Sequence, residues 1–287
     1  MKKAVWMLCF LPVLAGCGYD GSLLPEMNSV TQMRPLEKEK SLESNIRFDI
    51  GSLEITGDRD PSALYSFDLQ YDKSGYAPDV QYDPASGGEE GRLSFSLRST
   101  HKIKRKTEIG GNKLRLAFTD AIPLNLRVST GVGESRLSLS GLRLSRLDLE
   151  SGVGETKIFA YEPNPAACGS IRLKNGVGNL EAVGLGNLNF RDLEFEGGVG
   201  AATLDFTGEW KQNADIRVQV GVGGVVVRVP RDLGVKVEAQ KHLLSGLQLE
   251  RFTQRDSLYY SENYDTAPFR IFLRIATGIG GLKITWV

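Results

Sequence analysis

Apolar and polar residues alternate along most of this chain, and a short glycine motif interrupts the alternation at regular intervals. The motif first occurs as Gly131-Val132-Gly133, and the steps to its following copies are 21, 24, 22, 23 and 57 residues. The later copies begin at Gly152, Gly176, Gly198, Gly221 and, with isoleucine in the middle, Gly278. A repeat of this length is typical of stacked arrays, in which each unit contacts only its neighbours.

Apolar residues occupy fixed places on both sides of each motif. The third and fifth residues before it are apolar in every copy, and the sixth and eighth after it are mostly apolar or small. This alternation predicts a strand with one buried face on each side of the motif. Val132 and its equivalents continue the odd-numbered phase of the first strand, whereas the second strand is buried at even offsets. The second glycine, such as Gly133, therefore predicts a corner that absorbs a slip of one residue.

These features predict an all-β fold, a single-chain β-solenoid of about 22-residue Gly-Val-Gly repeats with two strands per repeat. The regular part covers residues 128–287, with an insertion at 230–268. Residues 46–127 are predicted as the strand-rich N-terminal part of the solenoid, with strands over 46–56, 63–71, 92–97 and 113–118.

The N-terminal residues have the composition of a secretion signal. Met1-Lys2-Lys3 and an apolar run over 4–13 precede Leu14-Ala15-Gly16-Cys17, which resembles the bacterial lipobox. This resemblance implies a lipoprotein signal peptide over 1–16 and acylation of Cys17. An ordinary secretory signal with an incidental cysteine is the alternative. Gly18, in place of the aspartate that resembles an inner-membrane retention signal, favours the outer membrane if the organism is Gram-negative.

Residues 17–45 are polar and contain Pro25 and Pro35, which predicts a flexible tether between the membrane and the folded part. Removal of the signal takes two lysines from a chain with 35 basic and 35 acidic residues, which leaves a formal charge near −2. This charge gives no reason to expect a nucleic-acid partner. After processing and acylation, Cys168 is the remaining thiol, so no intramolecular disulfide is expected. We interpret it as a small loop residue.

The sequence offers no set of residues arranged for catalysis or for metal binding. His101 and His242 lack cysteine or carboxylate partners at the spacing that zinc requires. Glu134 and Glu155 follow successive corners and could attract a cation weakly, although a solvated face is favoured. We therefore predict no catalytic residues, no metal site and no cofactor. The basic run Lys102–Lys106 could meet anionic headgroups or an acidic glycan, but a guarded strand edge is favoured.

The insertion at 230–268 is the predicted place for recognition of a partner. Tyrosine and arginine anchor interfaces because they bury large areas and still donate hydrogen bonds. The candidate partner-binding residues are Tyr259, Tyr260, Tyr264, Arg251 and Arg255, facing an envelope glycan or protein. The alternative is that the insertion caps an open end of the solenoid, where a sheet edge must be covered. The sequence does not favour one over the other.

The glycine-cornered repeat, the strand-rich part before it and the lipobox together resemble the bacterial toast-rack proteins. This family of β-solenoid envelope domains is similar in pattern to the C-terminal region of the cell-wall-stress regulator LiaF and to candidate adhesin domains. The resemblance covers roughly 46–287 and carries no catalytic residues.

The combined features imply a lipid-anchored, non-enzymatic cell-envelope protein that presents a rigid β-solenoid for adhesion, scaffolding or ligand binding. One alternative is an envelope-stress sensor or regulator, although this chain lacks the membrane helices of LiaF. Another is a polysaccharide-acting β-helix enzyme, which needs carboxylates clustered with arginine or lysine on one outer face. Here those charges are scattered.

The first prediction concerns the membrane anchor. Each buried acyl CH₂ contributes about 0.8 kcal/mol, so several acyl chains hold a protein firmly where one is marginal. We expect Cys17→Ser to abolish labelling by radioactive palmitate and to release the protein into the soluble fraction. Cys168→Ser is the control and is expected to keep both label and membrane association. Label on the Cys17→Ser protein would contradict the assignment.

Overall fold

Strands make up nearly all of the regular structure of the protein. The computed structural model describes residues 25–58, 60, 62–84, 89–100, 111–239 and 244–287. The strands are β1 (Met27–Pro35), β2 (Ser41–Asp58), β3 (Ala63–Asp72), β4 (Tyr76–Asp83), β5 (Glu90–Ser99), β6 (Lys113–Thr119), β7 (Leu124–Ser138), β8 (Leu144–Phe159), β9 (Cys168–Val183), β10 (Phe190–Val199), β11 (Ala202–Asp205), β12 (Ala214–Val222), β13 (Val225–Val229), β14 (Gly234–Ala239), β15 (Leu244–Leu249), β16 (Phe252–Arg255), β17 (Leu258–Ser261) and β18 (Arg270–Trp286). A 3₁₀ helix spans Leu185–Leu188. The prediction of an all-β fold is confirmed.

Parallel pairing joins the glycine-cornered strands into one stack. The order is β2, β7, β8, β9, then β10 with β11, β12 with β13, and β18. Each motif lies on the equivalent motif of the neighbouring strand, as Val132 lies on Val153 and Val153 on Val177. Val222 pairs with Ile279, so the 57-residue step does not interrupt the stack. The insertion leaves the array and returns to it.

The second glycine of each motif has the positive φ that the phase slip predicts. Its φ lies between 131° and 147° in all six copies. A Cβ built on Gly223 would overlap the carbonyl oxygen of Gly200 in the strand below, and the other copies repeat this approach. The corner therefore excludes side chains by conformation and by space.

Two details of the corner differ from the sequence interpretation. First, β2, β7, β8, β9 and β18 run through the corner as single strands, because backbone pairing to the neighbours continues across it. Second, the middle residue does not continue the buried phase of the first strand. Val153 is 47% exposed and Ile279 is 70% exposed. The bend at the positive-φ glycine turns this side chain outward, so the slip begins one residue earlier than expected.

The interior of the stack is built from the predicted apolar rows. Val128 and Leu137, which stand before and after the first corner, are at most 1% exposed, and their equivalents are buried likewise. The residue directly before the motif is also buried in four copies, where it is Ser151, Asn175, Val220 or Thr277. Asn175 donates a hydrogen bond from its side-chain amide to the carbonyl oxygen of Gly178 at 3.0 Å. The corner thus buries small side chains and the straight parts bury large ones.

Outward rows of opposite charge accompany the in-register pairing. Arg127 lies 3.7 Å from Asp148, and Arg172 lies 3.2 Å from Glu194 on the next pair of strands. Each exposed pair contributes at most about 1 kcal/mol. A shift of one strand by one residue would break these contacts and would also invert the buried face.

Antiparallel strands close both ends of the stack. At one end β5 and β6 pair in parallel with β2, while β4 pairs with β5, β3 with β6 and β1 with β3 in antiparallel fashion. At the other end β14 and β15 pair in parallel with β18, and β17 and β16 follow in antiparallel order. The insertion at 230–268 therefore supplies a terminal turn of the stack and its cover.

The predicted tether over 17–45 is wrong for much of its length. Met27–Pro35 forms β1 against β3, and β2 begins at Ser41. Glu39, part of a charge cluster assigned to the tether, is buried and accepts a hydrogen bond from the hydroxyl of Tyr82 at 2.5 Å. The polar strand β1 is held by backbone pairing at the cover of the stack, so it lacks the apolar alternation that marks the other strands. Residues 17–24 lie outside the described residues.

No helix among the described residues has both the length and the apolar character needed to span a membrane.

The second prediction tests the corner by substituting two adjacent glycines, Gly223 and Gly224. Gly223 has a φ of 145°, whereas a Cβ built on Gly224 meets no atom within 4 Å. We expect Gly223→Ala to lower the free energy of unfolding by more than about 1 kcal/mol, because of strain and overlap. Gly224→Ala is expected to leave it nearly unchanged. Equal melting temperatures for the two variants would show that the corner tolerates a Cβ.

Candidate functional site

The predicted partner-binding residues lie in the β16–β17 hairpin and the turns around it. Tyr259 lies opposite Val237 of the terminal strand β14 and packs, partly buried, against the hydrophobic core. Tyr260 and Tyr264 form an edge-to-face pair with ring centroids 5.1 Å apart. The guanidinium of Arg255 lies 5.0 Å from the centroid of the Tyr260 ring. The structure thus joins Tyr260, Tyr264 and Arg255 in one cluster, leaves Arg251 outside these contacts and assigns Tyr259 a packing role.

The charged groups of this surface are paired with acidic residues of the same insertion. Arg251 lies 2.9 Å from Glu262, and Arg255 lies 3.4 Å from Asp265. These arginines and their partners are exposed, so the pairs orient the side chains more than they stabilise the fold. The insertion covers one end of the stack, as the capping alternative predicted. Its use in recognition stays a prediction.

A second surface follows the glycine corners, and the sequence interpretation missed it. An open groove of about 640 Å³ runs along the stack from Glu150 on β8 to Gly278 on β18. We call it the corner groove. Its floor is the backbone of the first glycines: Gly152, Gly176, Gly198, Gly221 and Gly278. A Cβ on any of them would come too close to a backbone carbonyl of the neighbouring strand. Stacking therefore keeps the floor free of side chains.

Two chemically different rows lie close to the first glycines along the chain, and the polar one lines the corner groove. One is an aliphatic row, the corner ladder, made of Val153, Val177, Val199, Val222 and Ile279, which are 43–70% exposed. They are successive partners in the parallel register. The other row is polar and consists of Glu150, Lys174, Glu196 and Gln219. The repeated valine was the signal in the sequence, but its assignment to the buried phase concealed the ladder.

The polar row is close to electrically neutral. The ammonium of Lys174 lies 2.8 Å from a carboxylate oxygen of Glu196. This hydrogen bond, together with the negative charge of Glu196, raises the pKa of Lys174 above its usual value, so the lysine is charged at neutral pH. Both partners are about two-fifths exposed and accessible from solvent.

The buried carboxylate of Glu39 belongs to a structural cluster with Tyr82 and Arg34. Glu39 accepts hydrogen bonds from Tyr82 and from the backbone N–H groups of Glu37 and Lys38. Burial, followed by the bond to Glu39 and its charge, raises the pKa of Tyr82 to about 12. The guanidinium of Arg34 lies 3.7 Å from the centroid of the Tyr82 ring. This cluster fastens the segment before β2 to β4 at one end of the stack.

The carboxylates singled out in the sequence are neighbours but do not gather into a metal site. Glu134 and Glu155 are partners in the β7–β8 register, and Glu155 lies 2.9 Å from Lys157. Within the described residues, no three histidine, cysteine, aspartate or glutamate side chains are placed to hold a metal ion. Cys17, His101, Lys102–Lys106 and His242 lie outside those residues.

This architecture has a counterpart among known protein families. The family profile described as "N-terminal domain of toast_rack" matches residues 25–182 and, again, residues 168–228. The two matches cover well over half of the chain. The protein belongs to the toast-rack family. The resemblance to the toast-rack family, which was inferred from the glycine corners and the alternation, is confirmed. None of the curated proteins compared with the chain matches it.

Two solved structures are among those that the comparison matched to this chain. A candidate cell adhesion protein from Clostridium sporogenes is 19% identical, covers 91% of this chain and 100% of its own, and has a TM-score of 0.50. A candidate adhesin from Bacteroides fragilis is 14% identical over 91% of this chain and 99% of its own, with a TM-score of 0.41. At these identities the first comparison supports the toast-rack fold alone.

The third prediction concerns Cys168, which begins β9 and is 1% exposed. Burial raises the pKa of its thiol to about 12. The thiolate is the reactive form, and at pH 8 only about one thiol in ten thousand is then ionised. In a chain that begins at residue 18, where Cys168 is the one cysteine, we expect a thiol reagent to leave the native protein unmodified and to label it once after unfolding. Rapid labelling of the native protein would contradict the burial of this residue.

Proposed function

We propose that this toast-rack protein is a lipid-anchored, non-enzymatic component of the cell envelope that presents a rigid β-solenoid for adhesion or ligand binding. The proposal includes the finer fold expected from the sequence, with repeats of about 22 residues as turns of one solenoid. Acylation at Cys17 would hold it to the membrane, which is the outer membrane if the organism is Gram-negative.

One observation carries the proposal: the recurring features of the surface are shape and exposed rows rather than reactive groups. In the stack, each repeat contributes the same glycine corner, the same outward aliphatic residue and a small set of paired charges. The described thiol is buried, and the described carboxylates beside the corners are paired with lysine or arginine or lie exposed. Such a surface suits recognition of an extended partner better than it suits bond cleavage.

The insertion is the first of the surfaces proposed for recognition. Tyr260 contacts the ring of Tyr264 edge to face and the guanidinium of Arg255 over its own ring. Rigid aromatic and guanidinium groups of this kind bind partners at low cost in conformational entropy. Arg251, held by Glu262, extends the same surface. The adhesion roles assigned to the structurally similar proteins agree with this proposal, which extends them to an envelope glycan or protein as partner.

The fourth prediction separates recognition from capping within the insertion. We expect Tyr260→Ser with Tyr264→Ser, made in a chain that begins at residue 18 and so lacks the acylated cysteine, to reduce cosedimentation with the envelope fraction of its own cells several-fold, with little change in melting temperature. Tyr259→Ser is the matched control, because Tyr259 packs against the core. That variant should lose on the order of 2 kcal/mol of stability and keep its binding below the melting transition.

The opposite pattern would contradict the assignment. If the double variant melts as early as Tyr259→Ser, the outer tyrosines belong to the cap. If it is stable and still cosediments fully with the envelope, the insertion does not carry recognition.

A further inference from the structure

One position on the outer face of the stack departs from the pattern of its row. Phe272 of β18 is half-buried on that face, and the core does not require it, since the buried residues beside it are Ile271 and Leu273. The residues at the equivalent position in the neighbouring strands are all polar or charged: Asp215, Asp192, Ser170, Arg146, Asn125 and Glu43. The side chains around Phe272 explain this exception.

Two cations lie against the Phe272 ring. The ammonium of Lys236 on β14 and the guanidinium of Arg274 each lie 3.8 Å from the ring centroid, so they are at most twice that distance apart. Arg274 also lies 3.1 Å from Asp215 and 3.7 Å from Glu238. Lys236 forms no ion pair with a carboxylate in the described part of the chain. The ring thus holds an unpaired cation close to a paired one.

A third cation follows in register, beside a residue of the same charge. Arg217 of β12 is exposed and is the direct partner of Arg274. Elsewhere on this face an arginine lies beside a carboxylate, as Arg172 does beside Glu194. Like charges directly opposite each other destabilise a sheet. The placement of Arg217 beside Arg274 therefore costs stability, and an anionic ligand would offset that cost.

The tyrosines of the insertion continue this surface. Lys236 is the direct partner of Tyr260 on β17, so their side chains lie on the same face of the sheet. From β12 across β18 and β14 to β17, the surface spans about 14 Å at the spacing of a β-sheet. A surface of this length holds a short run of sugar units. We call it the β18 patch, and it consists of Arg217, Lys236, Tyr260, Phe272 and Arg274.

We propose that the β18 patch binds an acidic polysaccharide, whose chain runs along the stack and whose carboxylates contact the cations. This inference rests on the proposed function, and it names the partner class for the insertion and for the strands beside it. Arg217 and Lys236 supply unpaired positive charge in a chain whose formal charge without the signal is near −2. Local charge of one sign attracts a polymer of the opposite sign.

The patch offers both kinds of contact that an acidic sugar unit can use. Arginine binds a carboxylate through two parallel N–H donors, and lysine binds it as a point charge. The rings of Phe272 and Tyr260, both half-buried, offer apolar contact to the C–H groups of a sugar. An uncharged glycan would use only the rings, so we expect it to bind more weakly.

An acidic peptide would lack its usual contacts on this surface. Peptides that bind to sheets gain affinity from unpaired backbone groups at a strand edge. The strand beneath the patch has no such edge, because β18 pairs with β12 on one side and with β14 on the other. A peptide could therefore bind here through side chains alone.

Position disfavours an anionic lipid surface as the occupant. The proposed anchor at Cys17 precedes β1, and β1 belongs to the cover at the other end of the stack. Six parallel pairings lead from β2 to β18, which corresponds to about 29 Å at the spacing of a β-sheet. The patch is therefore far from the strand that is nearest to the anchor.

The test uses titration calorimetry at low salt with the chain that begins at residue 18. We expect hexagalacturonate, which is anionic, to bind, and cellohexaose, which is uncharged and of the same length, to bind about tenfold more weakly or not at all. Added salt should weaken the binding of hexagalacturonate, because it screens exposed charges.

The variants separate the patch from general electrostatic attraction. Arg217→Gln with Lys236→Gln removes two cations of the patch and should weaken the binding of hexagalacturonate about tenfold or more. Arg47→Gln with Arg92→Gln is the matched control, because it removes the same charge from exposed side chains on β2 and β5, at the other end of the stack. It should leave the affinity nearly unchanged. Phe272→Leu keeps an apolar side chain without the ring, and we expect a several-fold weaker affinity with little change in melting temperature.

Several results would overturn the inference. Hexagalacturonate does not bind, cellohexaose binds as tightly, or the control pair loses as much affinity as the patch pair. Hexaglutamate that binds as tightly as hexagalacturonate would assign the patch to an acidic peptide. If the patch pair loses cosedimentation with phosphatidylglycerol vesicles while its affinity for hexagalacturonate is unchanged, the patch belongs to a lipid surface.

Failure of this inference is distinguishable from failure of the proposed function. If Tyr260→Ser with Tyr264→Ser reduces cosedimentation with the envelope while the unsubstituted chain does not bind hexagalacturonate, the insertion keeps its role and the ligand class is wrong. If hexagalacturonate binds through Arg217 and Lys236 while the tyrosine variant cosediments fully with the envelope, the ligand class is supported and the tyrosines do not carry recognition.

Discussion

The structure depends on the close approach of backbone to backbone at each glycine corner. There, a carbonyl oxygen of one strand occupies the space where a Cβ of the next strand would be, at both glycines of the motif. The positive φ of the second glycine turns the chain while the parallel pairing continues through the bend. Glycine is the residue that meets both demands, so a glycine with positive φ stands at the corner of each stacked strand. In β2 this residue is Gly51, although Asp49 takes the place of the first glycine.

The other rows of the stack follow from this constraint. Because the corners lie on one another in register, each side chain lies above its equivalent in the neighbouring strand. Leu149 lies beside Leu173 in the interior, and Arg172 lies beside Glu194 outside. Near the bend the small polar residues Ser151 and Asn175 are buried, and the amide nitrogen of Asn175 donates a hydrogen bond to the carbonyl oxygen of Gly178. The choice between apolar and polar residues thus depends on distance from the corner.

The sequence predicted the repeated part of the fold well, because period, alternation and glycine each report on the same geometry. The phase of the alternation predicted a slip at the second glycine or just after it, and the structure has a positive φ at Gly133 and its equivalents. The ends were harder, because a covering strand is held by backbone pairing and does not need an apolar face. Met27–Pro35 and Tyr76–Asp83 have polar or irregular sequences, and both are strands of the N-terminal cover. The 57-residue step concealed that β14 and β15 extend the stack beyond β18.

The sequence likewise predicted the candidate sites only in part. Tyrosine and arginine in an insertion point to an interface by composition. Composition does not say that Tyr259 packs against the core while Tyr260 and Tyr264 form an edge-to-face pair. The corner ladder depends on the position of one bend. A slip one residue later would place the side chain of Val153 in the interior. With the slip where the structure has it, Val153 is 47% exposed. A period-two pattern therefore predicts which side chains are exposed only when the position of each phase slip is known. In this protein the exposed aliphatic row lies at the slip itself.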